Sequence, residues 1–357
     1  SSSNLLMMSA LTSRRLTGFK KGTKVITPIA GFPTTINPIF QVGFEPEFVD
    51  IDLDTLNLNL DQVEEKAKQG CKVITFAHVL GNPPNMDQLM QIVDDYGLIL
   101  LEDCCDALGS TYKGELLGSF GDFASCSFYP AHHITMGEGG FVACKTEHQE
   151  IVTRSFREWG RGCFCVGKKA NLMKNGCCGK RFSCWLPSLP DEVFDHKYVY
   201  DEIGYNLKPT DQQAAMGLVQ MKKLPEIISL RKKNHKRLCD IFSKYDDYFI
   251  IPKATEHSDP SWFAFALTIK ENPKFKRKDI VDYFENSKIQ TRPYFAGNIM
   301  LQPAYEGIMD QNEIVKQFPN ARKVTTDTFF LGTSPVITDE QLDYIETVVD
   351  SFFGDLS

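Results

Sequence analysis

Short apolar runs alternate with helical patterns through the first 144 residues. Lys24–Pro28, Cys71–Ala77 and Leu98–Glu102 are apolar and rich in β-branched residues, which is typical of buried strands. Met86–Tyr96 carries its apolar residues at helical spacing. Two further strands and a further helix are predicted at Phe123–Tyr129, Gly140–Cys144 and Asp61–Lys68. Repeated βα units predict an α/β protein with a mostly parallel central sheet and helices on both faces.

The remainder of the chain has a different pattern. Thr210–Leu224 predicts a helix that Pro225 breaks or kinks. Further helices and a strand are predicted at Ile227–Tyr245, Lys278–Asn286, Glu340–Phe353 and Trp262–Ile269. Gly160–Pro190 lacks periodicity, and we expect a long loop there, of a kind that is typically functional or disordered. We therefore predict a large domain over 1–224 and a smaller α+β domain over 225–357.

Composition and charge exclude some classes of function. The net charge of -7 and the isoelectric point near 5.6 argue against a nucleic-acid surface, and we interpret Arg231-Lys232-Lys233 as a solvated helix face. No apolar run approaches the roughly 20 residues that cross a bilayer, and no signal peptide opens the chain. We therefore expect a cytoplasmic protein.

The chain has 11 cysteines, an odd number that does not fit a small secreted disulfide framework. Several are crowded, at Cys104-Cys105, Cys163-x-Cys165, Cys177-Cys178 and Cys184. In a reducing compartment such crowding favours ligands of a metal or an iron–sulfur cluster.

Two segments carry candidate chemistry. Asp103 follows the predicted strand Leu98–Glu102, where the carboxyl ends of strands border a ligand crevice. It could hold a protonated ring nitrogen there, or serve as a helix N-cap or solvated strand end. Ser125–Gly140 ends a strand in a hydroxyl, a proline, two adjacent histidines and a glycine-rich turn. Joint metal ligation by His132 and His133 is disfavoured, because neighbours on an extended chain point to opposite sides.

Gly121–Gly140 resembles a motif of the DegT/DnrJ/EryC1/StrS sugar aminotransferases, with Gly-Asp, a strand, Ser-Phe-x-Pro and Gly-Glu-Gly-Gly in order. Other matching segments follow the family's order, at Gly31–Thr35, Gly204–Asn206 and Thr291–Asn298. The resemblance implies a type I aminotransferase fold and a pyridoxal phosphate cofactor. His132 stands where the family has its Schiff-base lysine. That departure resembles one branch, the pyridoxamine phosphate-dependent 3-dehydrases of 3,6-dideoxyhexose biosynthesis.

The resemblance also implies roles for individual residues. His132 would be the base that removes a proton during loss of the 3-hydroxyl of an NDP-4-keto-6-deoxyhexose, with Tyr129 beside the cofactor. Apart from the resemblance, we expect His133 to pack or bond structurally. Asn206 would reach the phosphate of the neighbouring subunit, which implies a homodimer. Arg292 and Asn298 would bind substrate. Cofactor contacts are implied for Ser1, Ser2, Phe32, Asp103, Asp106, Ser127 and Asn206. The family's glycine before Ser1 is missing, so we expect a truncated N-terminus.

Within that branch, the cysteine spacing resembles that of the iron–sulfur dehydrase acting on CDP-4-keto-6-deoxyglucose. The resemblance implies a [2Fe–2S] cluster on Cys105, Cys163, Cys165 and Cys178, with Cys177 or Cys184 as alternatives to the last; zinc or unliganded thiols remain open. It further implies a partner reductase that contains flavin and an iron–sulfur centre and uses NADH or NADPH. The alternatives are a cluster-free dehydrase of the colitose type and a non-catalytic scaffold with structural zinc. An aminotransferase is disfavoured, because no lysine occupies position 132 and the nearby Lys145 lies past the glycine turn.

Overall fold

The computed structural model of the protein describes residues 1–163 and 179–356. Its first part alternates helices and strands as predicted. The elements are α1 (Ser2–Ala10), β1 (Lys24–Pro28), α2 (Pro33–Gln41), β2 (Glu45–Val49), α3 (Leu60–Lys68), β3 (Val73–Ala77), α4 (Met86–Tyr96), β4 (Ile99–Asp103), β5 (Thr111–Tyr112), β6 (Glu115–Leu116), β7 (Phe123–Ser127), β8 (Gly140–Cys144) and α5 (Glu147–Arg157).

These strands form a central sheet with the order β2-β1-β3-β4-β7-β8. The pairs from β2 to β7 are parallel, and β8 runs antiparallel to β7. Successive strand residues point to opposite faces, so Val25 packs with α1, α2 and α5 while Ile26 packs with α3 and α4. The predicted mostly parallel sheet with helices on both faces is confirmed.

The later part of the chain adds a second, antiparallel sheet. The elements of this later part are β9 (Phe182–Ser183), β10 (Phe194–Asp195), α6 (Asp211–Met221), α7 (Leu224–Phe242), β11 (Phe249–Ile250), β12 (Ser258–Asp259), β13 (Ala264–Ile269), α8 (Arg277–Asn286), β14 (Thr291–Pro293), α9 (Gln311–Gln317), α10 (Pro319–Asp327), β15 (Thr328–Gly332) and α11 (Asp339–Asp355). The sheet order is β11-β13-β15-β14, and α7, α8 and α11 share one apolar core with it. The domain boundary at residue 224 stays a prediction. None of the helices in the described ranges is both long and apolar enough to cross a bilayer.

Two expectations about α7 need correction. The helix predicted to run through Leu224 ends earlier, at Met221, and Pro225 lies in the first turn of the next helix, α7, where its missing N–H has no helical partner to lose. Arg231 is not on a solvated face, since it is only 4% exposed. Asn234, His235 and Leu238 are also buried, three, four and seven residues further on, so Arg231 falls on the helix stripe that faces the core. Lys232 and Lys233 are the solvated members of the run.

His235, on the same stripe, is a buried neutral imidazole. Its ring stacks on Trp262 with centroids 3.8 Å apart, and burial lowers its pKa to about 3. The unfolded chain binds a proton on this ring below about pH 6.5. In the native state the lowered pKa keeps the His235 ring neutral. Its contribution to the free energy of unfolding is therefore complete above about pH 6.5 and is lost as the pH falls below that value.

We expect His235→Phe to reduce the acid sensitivity of the fold, because phenylalanine keeps a flat ring on Trp262 but does not titrate. From pH 7.5 to 5.5 the free energy of unfolding of the wild type should fall by about 1.4 kcal/mol more than that of the variant. Urea unfolding at the two pH values measures the difference. The exposed His257, replaced in the same way, is the control, and an equal pH dependence in wild type and His235→Phe would contradict the prediction.

Candidate active site

A cavity of about 1250 Å³ opens at the carboxyl ends of the parallel strands. Ala77, Asp103 and Ser127 reach it from the last residues of β3, β4 and β7. Phe263, Tyr294 and Phe295 close it from the later part of the chain. This is where an open α/β sheet places its ligands, because the strands end there and the loops that follow are free to vary.

Asp103 is buried on the cavity wall and is held by three donors. Its Oδ2 accepts from Asn4 Nδ2 at 2.7 Å and from Thr35 Oγ1 at 2.8 Å. Its Oδ1 accepts from the backbone N–H of Cys105 at 3.1 Å. A buried carboxylate needs such donors, and sequence reasoning did not identify Asn4 or Thr35 among them.

The side chain of Glu102, the neighbour of Asp103 on β4, points to the opposite face of the sheet. Its carboxylate accepts from the N–H groups of Gly118 and Gly121 at 2.9 and 2.7 Å and lies 2.9 Å from His78 Nε2. Burial alone would raise the pKa of Glu102, but these hydrogen bonds outweigh it and lower the pKa. Cys104 lies close enough to complete a three-ligand cation group. Since the Glu102 oxygens are already satisfied, we interpret the group as structural.

His132 lies on the cavity wall after β7. Its Nδ1 lies 3.4 Å from Asp106 Oδ1, and its ring lies 5.5 Å from that of Phe263 between centroids. Arg231, whose Nη1 donates to the Phe263 carbonyl at 3.0 Å, also approaches the His132 carbonyl at 3.5 Å. Burial raises the pKa of Asp106, and the contact with His132 opposes that rise. The arrangement leaves Nε2 of His132 as the ring nitrogen that does not face Asp106.

The neighbouring histidine is structural, as predicted. His133 is buried, and its Nε2 lies 2.8 Å from Ser261 Oγ. Ser261 is itself held by Ser110. Burial, with the nearby charge of Arg231, lowers the pKa of His133 to about 3, so its ring is neutral at physiological pH. The two adjacent histidines thus have different surroundings, one on the cavity wall and one in the core.

The cavity also brings together residues predicted to bind the cofactor phosphate. Ser1 and Ser2, at the N-terminus of α1, line it together with Ser127 and Asn206. The unpaired N–H groups of a first helical turn favour an anion. Asn206 accepts from Lys208 Nζ at 2.6 Å within its own chain.

Aromatic side chains lie on the same wall. Phe32, immediately before α2, is 52% exposed and meets Phe295 edge to face, with centroids 6.0 Å apart. Tyr129 is also exposed, with its ring 6.4 Å from that of His132. An exposed phenylalanine at a cavity mouth is poorly placed for core packing and well placed to stack on a flat ligand.

The two residues predicted to bind substrate lie away from the cavity lining. Asn298 is fully buried, and its Oδ1 accepts from the N–H of Met300 at 3.1 Å, so its observed contacts are structural. Arg292 is exposed on β14 and donates to the Thr291 carbonyl. Their substrate role stays a prediction without a supporting contact in this chain.

The predicted cluster ligands are only partly within the described residues. Cys105 lines the cavity. Burial raises the pKa of its thiol, and the negative charge of Asp103 is the second cause of the rise. Cys163 is half-buried, with its Sγ 3.9 Å from His196 Nε2, and Cys184 is exposed. Cys165, Cys177 and Cys178 lie outside the described residues.

Comparison with known proteins gives consistent matches over the whole chain. The family model described as "DegT/DnrJ/EryC1/StrS aminotransferase family" matches residues 2–350. The chain is 44% identical over 356 residues to lipopolysaccharide biosynthesis protein RfbH of Salmonella typhimurium, covering 99% of this chain and 80% of that protein. It is 43% identical over 354 residues to dTDP-4-dehydro-2,6-dideoxy-D-glucose 3-dehydratase of Saccharopolyspora spinosa, covering 99% and 75%.

A solved structure agrees with these matches. It is that of Escherichia coli GDP-4-keto-6-deoxy-D-mannose-3-dehydratase with bound hydrated PLP. It superposes on this chain with a TM-score of 0.81 at 29% identity, and the match covers 98% of this chain and 86% of the other. The predicted type I aminotransferase fold is thereby confirmed.

Proposed function

The chain belongs to the DegT/DnrJ/EryC1/StrS aminotransferase family, and from that premise we propose that it is a pyridoxamine phosphate-dependent 3-dehydratase of an NDP-4-keto-6-deoxyhexose. The observation that carries the proposal is the imidazole of His132 on the cavity wall. By the resemblance of the surrounding motif, this residue stands where the family has its lysine. The reaction removes the 3-hydroxyl as water. With two electrons and two protons it gives the NDP-4-keto-3,6-dideoxyhexose.

His132 is proposed as the base. Its Nδ1 faces the Asp106 carboxylate, so that carboxylate can hold the ring in place and stabilise the charge that it gains. Nε2 is then free to accept a proton from the cofactor carbon next to the ring. An imidazole is suited to this step at neutral pH, because its ordinary pKa is about 6.5. It cannot bond covalently to the cofactor as a lysine does, so non-covalent contacts must hold the cofactor.

The residues of the cavity fit a vitamin B6 cofactor. Among the lining residues, Asp103 would present its carboxylate to the ring nitrogen, Phe32 would present a ring face, and Ser127 with the N-terminus of α1 would present donors to the phosphate. When bound, pyridoxamine phosphate supplies the amine that condenses with the 4-keto group and the ring that accepts electrons as the hydroxyl leaves. The chain's own residues then hold the ring, keep its nitrogen protonated and move one proton.

We further propose a [2Fe–2S] cluster beside this cavity, with Cys105 and Cys163 among its ligands. Cys105 is on the cavity wall, two residues from Asp103, so a cluster bound there would lie near the cofactor ring. Four cysteine thiolates suit such a cluster, which supplies electrons singly. The electrons would come from a separate reductase containing flavin and an iron–sulfur centre. Cys165 and Cys178 stay the proposed remaining ligands.

Turnover tests the proposed function. Anaerobically purified protein, loaded with pyridoxamine phosphate, is offered 4-keto-6-deoxyhexoses carrying CDP, dTDP or GDP, with a chemical reductant. We expect a 3-deoxy product by mass spectrometry, most rapidly from the CDP sugar, as the resemblance implies. Transfer of an amino group to the sugar, in place of loss of oxygen, would refute the dehydratase and favour an aminotransferase.

We propose that the protein is a homodimer with α6 in the interface. α6 exposes four large apolar side chains, those of Met216, Leu218, Val219 and Met221, which water-exposed helices rarely carry. The same helix borders the site, since Gln213 lines the cavity and Met216 lies beside Gly137 of the glycine-rich turn. A partner on α6 would therefore lie next to the cavity.

Leu218→Glu is expected to shift the protein from dimer toward monomer, because a carboxylate would be buried without a partner in the interface. Light scattering after size exclusion should report the chain mass of 40.4 kDa in place of about twice that value. Val336→Glu, at an apolar position that is at least as exposed, is the control and should stay dimeric. A wild type that is monomeric would contradict the prediction.

A further inference from the structure

Asn4, in the first turn of α1, is buried behind the cavity wall. Its Nδ2 donates to the Thr34 carbonyl at 3.0 Å and to Asp103 Oδ2 at 2.7 Å, and its Oδ1 accepts from Ser125 Oγ. The reversed amide would point its oxygen at two acceptors, the carbonyl and the carboxylate. The orientation of the amide is therefore fixed by its surroundings.

The acceptor positions of Asp103 can be counted. A carboxylate has about four, two on each oxygen. Asn4 and Thr35 fill those of Oδ2, and the Cys105 N–H fills one on Oδ1. The position that these bonds leave is on Oδ1. Since Asp103 lines the cavity, a donor bound there can take that position.

Asn4 also joins two strands and the anion-binding end of the site. Asp103 and Ser125 are register partners on β4 and β7, and Asn4 bonds to both side chains. Three residues earlier, Ser1 begins the helix turn whose N–H groups border the cavity. Because a helix is rigid over one turn, α1 fixes the distance between the phosphate end of the cavity and the Asp103 carboxylate.

We propose that Asn4 is a positioning residue, which fixes the Asp103 carboxylate so that Oδ1 meets the ring nitrogen of the vitamin B6 cofactor. The inference rests on the proposed function, since it takes that cofactor as the occupant of the cavity. Asn4 can affect the reaction only through its contact with Asp103. Its loss should therefore act on how tightly and in what orientation the cofactor is held.

The test compares the dissociation constants of pyridoxamine phosphate and pyridoxal phosphate, measured by fluorescence titration. Asn4→Ala removes one donor to a charged acceptor and should weaken binding about tenfold. Asn4→Asp sets a second carboxylate against Asp103 and should weaken binding further. The induced circular dichroism of the bound cofactor should fall in both, because the ring is held less firmly.

Ser9→Ala is the matched control. Ser9 is buried on the same helix and its hydroxyl lies 3.2 Å from that of Tyr205, away from Asp103. Its replacement should lower the melting temperature and leave cofactor affinity unchanged.

A second variant decides the matter if Asn4→Ala does not fold. Ser125→Ala leaves every donor of Asp103 in place and removes one of the contacts that hold the Asn4 amide, so it should weaken binding about threefold. Wild-type affinity in Ser125→Ala and in any folded Asn4→Ala protein overturns the inference and leaves the proposed function standing. A wild type that binds neither form of the cofactor overturns both.

Discussion

Replacing His132 with asparagine is expected to slow the dehydration step about 10²- to 10⁴-fold, the usual contribution of a general base. Asparagine is polar and of similar size, but it cannot accept a proton at neutral pH. Cofactor affinity should be unchanged, because ring, phosphate and nitrogen are held by other residues. The measurement is a single turnover without reductant, followed by the absorbance of the cofactor, so that electron delivery does not enter the rate.

Two further variants separate the base from its surroundings. Asp106→Asn keeps the size of the side chain beside His132 Nδ1 and removes its charge, so it should slow the same step by a smaller factor. His257→Asn changes an exposed histidine outside the cavity lining and should behave as wild type. Equal single-turnover rates for wild type and His132→Asn would refute the assignment of His132 as base.

Borohydride provides an independent check on the same residue. Since an imidazole forms no covalent link to the cofactor, reduction followed by denaturation should release all of the cofactor. Lys145 and Lys208 also line the cavity, and a lysine amine can form a covalent link to the cofactor. Cofactor fixed to one of these lysines would refute the non-covalent mechanism.

Elements with strong local patterns could be predicted from the sequence. Lys24–Pro28, Met86–Tyr96 and Gly140–Cys144 have the predicted bounds, because an apolar run or helical spacing, ended by turn residues, marks each of them. α2 was missed since Pro33 and Pro38 suggest a loop; Pro33 lies in the first turn, and packing of Ile36 and Ile39 into the core outweighs the interior proline. β2 has little apolar pattern, and its place is set by pairing with β1.

The site could be predicted only where a motif marks it. Asp103 was a candidate from its place after a predicted strand, Ser127 and His132 were identified through the resemblance, and the fold brings all three to one cavity. Asn4 lies 99 residues before its partner Asp103, and nothing in the sequence near either residue signals the contact. Arg231 was misplaced because a run of three basic residues suggests solvent, whereas helical spacing to Asn234, His235 and Leu238 would have placed it in the core.

Substitution of the proposed cluster ligands is expected to have the second large effect. Cys105→Ser and Cys163→Ser should each reduce bound iron and the visible absorption of the cluster to background, because a serine hydroxyl does not ionise to replace a thiolate ligand. Overall 3-deoxy sugar formation with the reductase should then fall to background as well. Iron and sulfide analysis of anaerobically purified protein measures the first effect, and product analysis by mass spectrometry measures the second.

Cys239→Ser is the matched control, since Cys239 is a half-buried thiol on α7 outside the cavity lining. Its iron content and turnover should equal those of wild type. An iron-free wild type that still forms the 3-deoxy sugar would contradict the cluster and favour the cluster-free dehydratase. Zinc in place of iron in the purified protein would favour the alternative in which the cysteines hold structural zinc.

The histidine and the cysteines act on different halves of the proposed reaction, so their variants should fail differently. Loss of water requires the base and the cofactor, whereas the two electrons enter only afterwards. With Cys105→Ser the substrate should therefore still lose its 3-hydroxyl in a single turnover. His132→Asn should retain its iron, but the substrate should lose its hydroxyl about 10²- to 10⁴-fold more slowly. If Cys105→Ser also stopped the loss of water while binding the cofactor normally, Cys105 would have to act on the cofactor itself, and the separation of the two halves would be wrong.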